Sequence, residues 1–88
     1  MTLKTRVLGK LMLSDERGSL RVIEVDDLYG GRTRKVMLHM GGPGRPGPVM
    51  WSDGYYPGGL LPPLWKMPLM DEEEDWAVAL LTEGEQEQ

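Results

Sequence analysis

From Leu3 to Leu13 the chain alternates: Leu3, Thr5, Val7, Leu11 and Leu13 fall on one side of an extended backbone, Lys4, Arg6 and Lys10 on the other. Successive side chains of a strand point to opposite faces, so this pattern predicts a half-buried β-strand. Ser14-Asp-Glu-Arg-Gly-Ser19 is turn chemistry closed by a glycine able to take positive φ. Leu20–Asp26 follows as a second strand, given β-branched character by Val22, Ile23 and Val25, with Asp26-Asp-Leu-Tyr-Gly-Gly31 as its exit turn. Arg32–Met40 reads as a third strand. Its even positions Val36, Leu38 and Met40 face the core, leaving Thr33, Lys35 and His39 to water or a partner. Three consecutive strands joined by short turns make an antiparallel meander.

The alternation stops at Gly41. Within Gly41–Pro63, 13 of 23 residues are Gly or Pro, with Trp51, Tyr55 and Tyr56 among them, and all 7 prolines of the chain lie between Pro43 and Pro68. Proline removes a backbone donor and glycine adds backbone entropy, so this segment reads as a long Gly/Pro/aromatic loop held by turns and side-chain packing. Val49-Met-Trp51 and Leu64-Trp-Lys-Met67 read as short edge strands, where proline is tolerated. Asp71–Asp75 and the following Trp76–Leu81 support two readings. A helix would be capped by Asp71 with Glu74, with acids at the positive end of its dipole and Gly84 past its end; a strand would bury Trp76, Val78 and Leu80. Three strands cannot close a core alone, which favours a short acidic helical turn leading into a closing strand. The expected fold class is therefore mainly β: one small domain over residues 1–82, an SH3-like or OB-like half-barrel, followed by an acidic flexible tail at 83–88.

Charge divides the chain. Residues 1–45 hold 9 Lys/Arg against 5 Asp/Glu (+4) and residues 46–88 hold Lys66 against 9 acids (−8), which sum to the net −4. The halves either neutralise one another in the fold or present one sign to a partner. The chain has no Cys and a single His39, which removes disulfides and thiolate metal sites and leaves a metal only oxygen ligands such as Asp26, Asp27 and Asp53. No metal, no cofactor and no membrane span are expected, and the composition suits a soluble cytoplasmic protein.

Catalysis lacks its usual parts. His39 stands in an apolar strand while Ser14, Ser19 and Ser52 fall in predicted turns, and the adjacent acids lack the desolvation that tunes a catalytic carboxyl, so no enzyme is expected. The glycines of Gly41–Pro48 do not form a phosphate loop, because prolines remove the amides that would cradle the anion. Pro43-Gly-Arg-Pro46 fits a Pro-x-x-Pro element. Arg32, Arg34 and Lys35, with Tyr29 and Arg45, could form a basic patch for single strands, but the pleat sends Arg34 to the face opposite Lys35.

The positive signal is aromatic and acidic. Trp51, Tyr55, Tyr56 and Trp65 are the residue types that anchor interfaces, and Glu72, Glu73 and Glu74 within the acidic run would steer toward a basic partner surface. Trp65…Pro68…Asp71…Asp75-Trp76, 12 residues in all, resembles the closing segment of small phage proteins that sequester cyclic-nucleotide defence signals, and carries no site assignment. These features together predict a non-enzymatic protein-binding accessory protein of phage or bacterial type, host-directed, using the aromatic loop and the acidic segment. The alternatives are a structural assembly subunit, which would be a homo-oligomer, and a small-ligand or nucleic-acid binding module, with nucleic acid the weaker because the whole chain is acidic.

Overall fold

The computed structural model describes residues 4–27, 29–42, 44, 47–56 and 58–83, the side chains of Asp15 and Glu83 excepted. Pro43, Arg45, Pro46 and Pro57, and with them the Pro-x-x-Pro element, lie outside the described residues, as does the expected tail beyond Glu83. Four strands follow one another as β1 (Thr5–Met12), β2 (Gly18–Asp26), β3 (Arg32–Met40) and β4 (Val49–Trp51). They form one antiparallel sheet in chain order, with β1 and β4 as its edges. The protein is mainly β, as the alternation predicts, and its three long strands end within a residue or two of the sequence boundaries.

Register sets the core. Leu20 pairs with Leu38 and Val22 with Val36 across β2 and β3, and all four are buried on the same face. Each such side chain contributes about 1.5–3 kcal/mol on leaving water. Leu13, Tyr55, Leu64, Met67, Ala77 and Leu81 complete the cluster. The β1–β2 connection is a 3-10 turn, Ser14–Glu16, closed by Gly18 at φ 133, where a Cβ would strike the His39 carbonyl.

What covers this face is a helix. The segment after the loop forms α1 (Asp71–Glu83), replacing the expected acidic turn and closing strand. The physical reason is visible in Glu73, Ala77 and Leu81, which recur every four residues and are the buried positions of the helix, whereas a strand would have buried Trp76, Val78 and Leu80. Glu73 also corrects the expected cap: its Oε1 accepts the Met70 N–H at 2.8 Å, making Met70 the N-cap in place of Asp71. Leu64–Lys66 is likewise a 3-10 turn and not an edge strand, presenting Leu64 to the core.

A further correction concerns β1. Val7 pairs with Ile23 and Gly9 with Val22, so Leu8 is an extra residue, a β-bulge. A one-residue slip sends the strand to its other face: Leu11 and Leu13 turn inward as expected, but Thr5 and Val7 turn outward and Arg6 takes the helix side. Gly9 lies under the side chains of α1, since a Cβ there would lie 2.5 Å from Leu80 Cδ1 and 3.0 Å from Trp76 Cζ2.

Candidate functional site

Of the three expected basic residues Arg34 serves the interior, and Arg32 stays exposed on the helix side of the sheet. Arg34 is buried and donates through Nε to Glu24 Oε2 at 2.9 Å and through Nη1 to the Leu81 carbonyl at 2.7 Å. Arg6 holds Glu24 Oε1 at 2.6 Å from the sheet edge, and Arg32 approaches Glu24 and Asp26 at 3.9 Å. Burial pushes the Glu24 carboxyl upward, but the hydrogen bonds from Arg34 and Arg6 outweigh it and hold Glu24 below the usual carboxylate range. This network ties the C-terminal turn of α1 to the sheet. Lys35 alone of the three stays on the outer face, as the pleat argument requires.

The aromatic set divides in the same way. Tyr55 is 5% exposed, bridges Arg34 by backbone hydrogen bonds in both directions and belongs to the core. Tyr56, the next residue, points away from the core and lines an open cleft of about 550 Å³ with Val25, Asp26, Tyr29, Thr33, Lys35 and Gly54. The cleft opens where the β4 ladder breaks: Ser52 Oγ accepts the Val36 N–H at 2.9 Å in place of a strand carbonyl. Asp27, on its rim, is already engaged, accepting the Tyr29 and Gly31 N–H groups at 2.7 and 2.8 Å. Trp51 pairs with Met37 on the outer sheet face and is 54% exposed. Trp65 belongs to the opposite layer, between the buried Leu64 and Met67; it is 74% exposed, with Lys66 Nζ 5.7 Å from its ring centroid.

The acids also separate. Glu73 is buried, bound to Arg17 and to the Met70 amide, so it is spent on the fold. Asp71, Glu72 and Asp75 are exposed and Glu74 half-buried. The expected seven-residue surface is thus two surfaces, Trp51 with Tyr56 on the sheet side and Trp65 with Glu72 and Glu74 on the helix side, while Tyr55 and Glu73 are structural.

Sequence reasoning missed Lys10 and Arg21. They are cross-strand partners on the outer face, and the signal was their even–odd phase relative to Ile23 and Lys35, obscured by the bulge in β1. The register also sets Ser19 opposite His39, but no hydrogen bond joins their side chains. Among the described residues no group of three or more His, Asp and Glu could hold a metal ion, and no helix is long and apolar enough to cross a membrane. No family model, no curated protein and no solved structure matches the chain.

Proposed function

We propose that the protein is a non-enzymatic accessory protein of the cytoplasm that docks on another protein through its helix side. The reading rests on one observation: Trp65, 74% exposed, precedes a helix whose first turn and a half carries the exposed carboxylates of Asp71, Glu72 and Asp75. A large rigid ring, with Lys66 against its face, followed in the chain by a block of carboxylates combines an anchor with electrostatic steering, and its complement is a basic surface with an apolar pocket. Met70, also exposed, lengthens the apolar part of this contact with an adaptable side chain.

The test is affinity capture from the native host with the intact chain, alongside Trp65→Ala and a Glu72→Gln/Asp75→Asn double variant, each checked for an unchanged unfolding midpoint. A basic partner is expected to be lost with Trp65→Ala and to be captured less efficiently, with weaker salt dependence, by the double variant. Equal recovery of the same partner by all three proteins would remove the helix side from the function.

A further inference from the structure

Every charged side chain that the four strands send to the face away from α1 is a cation. Lys10, Arg21 and Lys35 stand there with His39, while Glu24 lies on the helix side and Asp26, at the end of β2, is paired with Arg6 and Arg32 at the rim of the cleft. The net charge of −4 conceals this sorting. Local potential and not total charge governs what a surface attracts. Arg21 is the most informative of the set. Among the described residues Arg6, Arg17, Arg32 and Arg34 each reach a carboxylate, whereas Arg21 reaches none and its Nε is buried without a hydrogen-bond partner. A half-buried guanidinium with no anion beside it leaves its charge to be met from outside.

The register lines these groups into a row across the sheet: Lys10 opposite Arg21, Arg21 opposite Met37, Met37 opposite Trp51. Strands lie about 4.8 Å apart, so the exposed indole stands roughly 10 Å from Arg21 and roughly 14 Å from Lys10. Lys35 is one row further along β3, beside the cleft that Tyr29 and Tyr56 flank, whose two acids are already engaged, Asp26 by Arg6 and Arg32 and Asp27 by the Tyr29 and Gly31 amides. Cations that track a backbone together with rings that accept bases are what single strands require, and an open sheet face is a suitable platform.

We infer that this face binds single-stranded nucleic acid, with phosphates on Lys10, Arg21 and Lys35 and bases stacked on Trp51 and Tyr56. A single strand is favoured over a duplex because paired bases offer the indole no free face to stack on. A second copy is also disfavoured, since a symmetric face-to-face pair would set these cations against their own images. The face lies opposite the one assigned to the protein partner, so either role can fail without the other.

The test is fluorescence anisotropy of fluorescein-labelled 20-nucleotide oligo-dT and oligo-U titrated with the whole protein between 50 and 200 mM salt. Three phosphate contacts on a single strand predict a salt slope of about −2, hence about a twentyfold loss of affinity over that range. Lys10→Glu/Lys35→Glu should weaken binding by about tenfold or more and flatten the slope; Lys10→Gln/Lys35→Gln gives the same readout if charge reversal impairs folding. Trp51→Ala should cost about tenfold, and that loss should vanish on an abasic strand of equal length. Glu72→Gln should leave oligonucleotide affinity undiminished. The inference is overturned if neither oligonucleotide gives a saturable change at 50 mM salt, if the Lys10/Lys35 substitutions are without effect, or if poly-glutamate competes equally at matched charge, which would assign the face to acidic proteins.

Discussion

Arg34 donates to the carbonyl of Leu81 across the layer boundary at 2.7 Å, so a single buried guanidinium both neutralises Glu24 and satisfies a carbonyl in the last turn of α1. The last four carbonyls of a helix lack partners within it, and a cation at that end also meets the negative pole of the helix dipole. The ion pair is therefore the joint between sheet and helix. It also gives Arg34, which the pleat turns away from Lys35, its partners inside the fold.

Replacing Arg34 with Met should destabilise the protein by about 1–3 kcal/mol, because the buried Glu24 keeps only Arg6 as a close partner and the Leu81 carbonyl loses its donor. Adding Glu24→Leu should recover most of that loss, since burial of neither charge is better than burial of one. Urea unfolding of both variants measures the difference.

Stability should fall in acid through Glu24. Its folded pKa is depressed, so the stabilisation is fully present above the ordinary value of 4.5 and is lost as the pH drops through the lower folded value. Glu24→Gln should be less stable than the parent at pH 7, and the gap should narrow steadily as the pH falls below about 4.5. Unfolding midpoints of the pair, followed by circular dichroism across that range, give the comparison; a gap independent of pH would contradict it.

Neighbouring tyrosines should behave oppositely. Tyr55→Ala empties a core position and should cost about 3–5 kcal/mol, whereas Tyr56→Ala should lie within about 0.5 kcal/mol of the parent. Thermal or chemical denaturation of the two variants checks this directly.

Within the acidic run, only Glu73 should matter to folding. Glu73→Ala removes the cap on the Met70 amide and leaves Arg17 unpaired, for about 1–2 kcal/mol, while Glu72→Ala should be close to neutral. Native-state hydrogen exchange should show the loss first at the N-terminal turn of α1.

The meander was legible because β2 and β3 alternate without interruption, and a period of two carries both the element and its buried face. The end of the chain was not, because Trp76, Val78 and Leu80 alternate as a strand does while Glu73, Ala77 and Leu81 repeat as a helix does, and a short apolar run does not separate the two. The glutamate at 73 reads as one solvated acid among five; only the fold brings Arg17 to it from 56 residues away. The outer face was hidden for a similar reason. Lys10, Arg21 and Lys35 are far apart in sequence, and only the pairing register of three strands gathers them on one side.

The bulge in β1 has a consequence for the protein's colloidal behaviour. β1 is an edge strand of eight residues with free backbone donors and acceptors along its open side, and a flat edge of that length is a template on which a neighbouring chain could add a strand. The extra residue at Leu8 breaks the spacing of those groups and sharpens the twist, while Lys4 and Lys10 repel an approaching copy. The same irregularity that turns Val7 outward therefore stops the sheet from growing, and a chain lacking Leu8 would be expected to form ordered aggregates sooner than the parent on prolonged incubation.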